Sequence, residues 1–166
     1  MLSTIGYEGA QPGDFLQTLK SAGVDLIIDI RDRAQSRRPG FSKSALEGSL
    51  SDAGIGYVHY RELGDPKEGR EAARAKDMVK FRRIFSAVLG TKEAQAALNK
   101  IMEASENRNV CLLCFERDPA GCHRTLVAAK IEAQTGKKTR HLGVRRFEQA
   151  EQYQRPVRHS GEGVTA

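Results

Sequence analysis

Short apolar runs alternate with stretches of helical periodicity along most of this chain, and that alternation restricts its fold more than any other feature. Leu2–Ile5, Val24–Ile30, Ile55–Tyr60 and Asn109–Cys114 read as strands, with Thr139–Leu142 as a last short one. Leu26, Ile27 and Ile28 are consecutive and apolar, which suits a strand covered on both faces. Between the strands, apolar side chains recur at helical spacing. Phe15, Leu16, Leu19 and Ala22 share a face before Gly23, and Ala45, Leu46 and Leu50 follow an N-cap at Ser42. One long helix is expected over 72–89, striped by Met78, Phe81, Ile84, Phe85 and Val88. Thr91 caps another over 92–104, and a last one runs over 122–134 before Gly136. The alternation predicts a single Rossmann-like α/β domain. Its sheet is mainly parallel, of four or five strands, with right-handed crossovers and helices on both faces.

A length of 166 residues suffices for one domain with a real core. That domain is expected over 1–142, with 143–166 as a basic C-terminal extension, weakly helical around Phe147 and then disordered. Net charge is +6, and most of it is local: between Lys137 and Arg158, seven basic side chains stand against Glu148 and Glu151. Such a segment reads either as a solvated terminus or as attraction for an anionic partner. The first residues carry no charged n-region and no apolar h-region, so no signal peptide is expected. No apolar run approaches the ~18 residues of a membrane span. Three clustered cysteines do not make a disulfide framework, and a reducing cytoplasm is the expected compartment.

In a parallel sheet, whatever follows each strand lies at the carboxyl-end rim, where ligands of open α/β sheets bind. The first strand delivers Tyr7 and Glu8 to that rim. The second delivers Asp29 and Arg31, then Arg33, Arg37 and Arg38. The third delivers His59, Tyr60 and Arg61, and the fourth Cys114, Glu116 and Arg117, followed by Cys122, His123 and Arg124. Cys122 opens a helix, where the dipole favours a thiolate, so it is the better nucleophile, with Cys114 as resolving partner or second ligand. His123 or Glu116 would accept its proton. Arg124 sits where the helix dipole disfavours a cation, which calls for a fixed partner: Glu116, Asp29 or a bound anion. Asp29 is read first as an arginine's ion-pair partner and second as catalytic. Cys111, inside the strand, reads as core.

Three motif matches fail. Cys111 to Arg117 fits the bare Cys-x5-Arg pattern of phosphatases, but Leu112, Leu113 and Cys114 lie in a strand and cannot form a phosphate cradle. Cys111-x2-Cys114 spans a strand, where residues i and i+3 face opposite ways, so it is not a zinc knuckle, and it closes a strand where a thioredoxin-like pair opens a helix. A zinc site of Cys114, Cys122 and His123 stays as an alternative, and no metal ligand is assigned.

Thr4–Glu8, Asp29–Arg31, Ser36–Lys43, Tyr57–Gly64 and Leu112–Arg124 together, in this order, make the chain resemble the family called domain of unknown function 488. The resemblance covers about residues 3–142. It implies a compact bacterial or archaeal α/β domain and places Asp29, Arg31, Arg37, Arg38, Cys114, Glu116, Cys122, His123 and Arg124 on the family's signature positions. It brings no activity and no cofactor.

Three functions follow as expectations. The first is a phosphate-bearing ligand, nucleotide or nucleic acid, bound at the rim by Arg31, Arg37, Arg38 and Arg124. Tyr7, Phe41, Tyr57 and Tyr60 would be stacking groups, and thiol chemistry could be combined with this binding. The second is a thiol-dependent enzyme, for sulfur transfer or hydrolysis of a small anionic substrate. The third is a non-catalytic interaction domain with structural or zinc-binding cysteines.

Overall fold

The computed structural model of the chain describes residues 1–147. Its five strands are β1 (Leu2–Gly6), β2 (Leu26–Asp29), β3 (Gly56–His59), β4 (Val110–Cys114) and β5 (Arg140–Leu142). They form one parallel sheet in the order β3-β2-β4-β1-β5, the α/β class the alternation predicts. The α-helices among the described residues are α1 (Pro12–Ser21), α2 (Lys43–Asp52), α3 (Lys67–Arg74), α4 (Met78–Leu89), α5 (Lys92–Asn107) and α6 (His123–Thr135). None of them is long and apolar enough to cross a membrane.

Strand parity sorts the core into two layers. Ile5, Ile27, Cys111 and Leu113 face α1 and α2, packing on Phe15, Leu19, Leu46 and Leu50. Leu2, Leu26, Ile28, Val110 and Leu112 face α4, α5 and α6, packing on Phe85, Leu98, Ile101, Val127 and Ile131. The same parity decides where polar residues at the strand ends go. Cys114, two residues beyond Leu112, turns toward α6. Asp29, two beyond Ile27, turns toward α1 and α2. Strands β1 and β4 are neighbours, and their connections leave on opposite faces, through α1 and through α6. This is the kind of switch point at which open α/β sheets bind ligands.

The long helix expected over 72–89 is two helices. The chain breaks at Lys76, which takes the left-handed conformation (φ 58°). Asp77 then caps α4, accepting the Lys80 N–H at 3.0 Å. No glycine or proline marks the break, so the apolar periodicity ran through it; the aspartate before Met78 was the available signal. At the other end, Gly143–Phe147 do not show the expected helical character. They run along α1, with the Arg145 N–H on Thr18 Oγ1 (3.1 Å) and the Phe147 N–H on Asp14 Oδ1 (3.0 Å). The rest of the basic extension lies outside the described residues.

Phe85 is fully buried, between Phe81 and the His123 ring. Phe85→Ala should therefore cost about 3–5 kcal/mol, read from urea unfolding. Val79, on the same helix but 81% exposed, should change stability by less than about 0.5 kcal/mol when cut to alanine.

Candidate functional site

The polar residues expected at one rim divide into two clusters on opposite faces of the sheet. On the α1–α2 face, the buried Asp29 carboxylate takes Nε and Nη2 of Arg31 at 2.9 and 2.7 Å. Arg31 Nη1 donates to the Tyr7 hydroxyl (3.1 Å) and the Phe41 carbonyl (2.8 Å). The Tyr57 hydroxyl donates to Asp29 Oδ2 at 2.6 Å. Burial opposes the charge on Arg31, but the hydrogen bonds and charge of Asp29 outweigh it and raise its proton affinity. Burial, and then Asp29, push the Tyr57 phenol up.

These bonds correct two expectations. Arg31 has its donors committed inward and does not offer them to a phosphate. Tyr7 and Phe41 are buried and stacked on each other, centroids 4.5 Å apart, so neither is a platform for a base. Asp29 is an arginine's ion-pair partner, as first read. Tyr60 is half-buried against the core with the Lys100 ammonium over its ring. Arg37 is exposed on the loop, whereas Arg38 donates Nη2 to the Ala10 carbonyl.

On the α6 face, Cys114 ends β4 and Cys122 caps α6. Both thiols are free and buried, with their sulfurs 2.8 Å apart. Cys122 Sγ donates to Glu116 Oε2 at 3.1 Å and accepts the Arg124 N–H at 3.4 Å. The Arg124 side chain is fully buried. Its Nη1 reaches Cys114 Sγ (3.3 Å) and the Glu116 carbonyl (2.7 Å), and its Nη2 reaches the Arg117 carbonyl (3.1 Å). The close approach requires glycine at position 6: a Cβ there would collide with the Glu116 carbonyl oxygen and Arg124 Nη1. His123 places Nε2 2.8 Å from the Ile30 carbonyl, so that nitrogen carries the proton. Nδ1 is left as a lone pair, 3.8 Å from Cys122 Sγ.

Burial lowers the basicity of His123, which stays neutral. Burial opposes ionisation of Glu116, yet its own backbone N–H and the two thiol donors favour the carboxylate, and the net effect is downward. For Cys122, burial first, and then Cys114 and Glu116, push the thiol well above its ordinary range. The helix N-terminus does not overcome that desolvation. The expected thiolate nucleophile is instead a protonated donor. Cys111 is core, its thiol pushed up to about 12 by burial.

A groove of about 810 Å³ opens beside the β1–β4 switch point, at the ends of β1 and β5. Gly6, Gly9, Gln11 and Gly13 line it from the β1–α1 segment, Arg117 from the cysteine loop, and Arg145 and Arg146 from the segment after β5. Gln11, the N-cap of α1, makes no side-chain cap and Pro12 is the first helical residue, so the first-turn N–H groups of Gly13 and Asp14 have no side-chain cap. Glu8 joins the walls: its backbone N–H donates to the Phe115 carbonyl (2.8 Å), and its Oε2 accepts the Arg117 N–H (2.9 Å). None of Cys114, Glu116, Cys122 and His123 lines the groove, so the four candidate catalytic residues meet one another as expected but face inward.

Sequence reasoning missed Gly9, Gln11 and Gly13 as a lining; glycines between a strand end and a proline-started helix were the signal. It also missed Asp65, which is buried with Oδ1 lacking a hydrogen-bond partner. Nothing in a Gly-Asp-Pro turn announces burial.

The model of the family described as domain of unknown function DUF488 matches residues 11–131. No curated protein and no solved structure matches the chain.

Two outcomes follow from this geometry. Asp29→Ala strands the Arg31 charge in the core and should cost about 3–5 kcal/mol in a urea midpoint measurement. Asp65 is pushed up to about 7, by burial first and by Glu116 and Asp32, against the pull of Arg70. Between its unfolded pKa of 3.8 and about 7 the folded chain holds a proton that the unfolded chain has lost. Its stabilising contribution is full below that window and gone above it, so stability falls as pH rises through the window. Asp65→Asn should flatten that fall between about pH 4 and about pH 7 in the same measurement.

Proposed function

Since the chain belongs to the family described as domain of unknown function DUF488, a premise that carries no reaction with it, we propose that it binds a phosphate-bearing ligand, a nucleotide or nucleic acid, in the groove between β1, α1 and the segment after β5. One observation carries this reading: an uncapped helix N-terminus opens into a groove of about 810 Å³ walled by glycine backbone and three arginines, Arg117, Arg145 and Arg146. A helix N-terminus supplies free N–H donors and the positive end of a dipole, and glycines let a phosphate approach the backbone. The volume lies in the range of small-molecule sites. The acidic residues of the groove have their own tasks: Glu8 accepts from Arg117, and Asp14 Oδ1 accepts the Phe147 N–H. Compared with the rim expected from sequence, the ligand class is kept and the arginines change, from Arg31, Arg37, Arg38 and Arg124 to Arg117, Arg145 and Arg146.

A thiol-dependent reaction on the bound ligand has less support. Cys114 and Cys122 are buried away from the groove, and Cys122 holds its proton.

Binding of inorganic phosphate, nucleotides and short single-stranded DNA and RNA should be detectable by titration calorimetry at low salt. Replacing Arg117 and Arg145 together by alanine should weaken it by about tenfold or more, since charge-assisted hydrogen bonds are each worth about 1.5–3 kcal/mol. A steep fall in affinity with salt would identify a nucleic acid, and a shallow one a single nucleotide. No binding of any of these probes, or equal binding by the double variant, would remove the reading.

A further inference from the structure

We propose that Cys114, Glu116 and Cys122, with His123 adjoining them, form a site for one divalent transition-metal ion of borderline-soft character, with zinc as the first choice. The site lies on the α6 face and is separate from the phosphate groove, so each proposal stands or falls by itself.

The donor atoms of Cys114, Glu116 and Cys122 all lie within 4.8 Å of one another. Two sulfurs and a carboxylate oxygen are a donor set suited to zinc, and a water or His123 would complete four-coordination. His123 has the arrangement of a metal-ligating imidazole. Its Nε2 is fixed on the Ile30 carbonyl, and its Nδ1 lone pair lies 3.8 Å from Cys122 Sγ. Two ligands on one tetrahedral zinc, with bonds of about 2.3 Å to sulfur and about 2.0 Å to nitrogen, stand about 3.6 Å apart. The separation between Nδ1 and Cys122 Sγ is close to that. The two sulfurs, at 2.8 Å, are inside ordinary contact distance for a pair of thiols. Around a tetrahedral ion they would stand about 3.8 Å apart, so binding would separate them by about 1 Å and replace a crowded contact by two bonds.

The charge balance fits a buried place. Each thiol gives up its proton to solvent and each sulfur pair of electrons forms a bond to the ion, so one dication replaces two protons and nothing is oxidised or reduced. The net charge of the cluster is unchanged by this exchange. High proton affinity at the sulfurs makes binding pH-dependent without forbidding it. Arg124 Nη1, 3.3 Å from Cys114 Sγ, stays as a hydrogen-bond donor to the thiolate.

The test uses the full chain, kept reduced and freed of metal, titrated with cobalt(II). The expected result is a sulfur-to-cobalt charge-transfer absorption that saturates at one ion per chain and is displaced by zinc, with about two protons released per ion bound. Cys114→Ser and Cys122→Ser should lose the absorption, and Cys111→Ala, on the opposite face of the sheet, should keep it. Because the buried cysteine variants can fail to fold, Glu116→Gln provides a second reading. Its side chain is not fully buried, its circular dichroism should match the parent, and its metal affinity should fall by about tenfold or more. The proposal is overturned if the folded parent shows no thiolate absorption and retains no zinc. It is equally overturned if the absorption survives in Cys122→Ser, or if the two sulfurs are found joined as a disulfide with no metal taken up.

Discussion

The rim of this molecule depends on one buried cation, the guanidinium of Arg124. Taking such a group out of water costs several kcal/mol unless its donors find partners. Here they find a sulfur and two backbone carbonyls, those of Glu116 and Arg117, while Nε is left without a partner. Those carbonyls belong to the loop that joins β4 to α6, so the guanidinium ties the cysteine loop down onto the end of β1. Glu8 ties it from the other side. The fit is tight enough to demand a glycine at position 6, and the same residue lines the groove at the ends of β1 and β5. Arg124 thus sits beneath the groove and beside the sulfurs, and holds both in shape without being presented to a ligand in either.

Its position also shows what a sequence can and cannot tell. A cation in the first turn of a helix opposes the dipole, and that conflict correctly called for a fixed partner. The partner proved to be backbone carbonyl and sulfur, where a carboxylate or a bound anion had been expected. The alternation of strands and helices predicted the parallel sheet, and chain direction predicted which residues reach the rim. Parity within each strand was legible too: Asp29 follows Ile27, and Cys114 follows Leu112. What a single strand does not contain is its register against its neighbours. Only the pairing of Leu113 with Asp29 and of Cys114 with Gly6 shows that the two polar clusters stand back to back across the sheet.

Cys122 is a contest between two effects, and its magnitude explains the misreading. A helix N-terminus stabilises a thiolate by a modest amount that falls off within one turn. Full desolvation of an anion is larger, and a second sulfur and a carboxylate add to it. Sequence places a cysteine at a helix start but gives no depth, so the favourable effect was visible and the dominant one was not. The break at Lys76 has the same character. Local periodicity across 72–89 was real, but a lysine in the left-handed region divided it.

Depth separates the two proposed sites as well. Arg117, Arg145 and Arg146 are exposed, so their attraction for an anion is screened by salt and sets a ligand class more than a ligand. The sulfur cluster is closed, and there selectivity would come from donor type and geometry, which salt does not screen. The basic segment that looked like a nonspecific tail contributes to the first kind of site through its described beginning: Gly143–Phe147 are held along α1 by Thr18 and Asp14, and that places two arginines on the groove wall. Charge that composition could only count is thereby given a position, opposite an uncapped helix end, and on the proposed reading position rather than net charge is what would let +6 on a small domain select a phosphate.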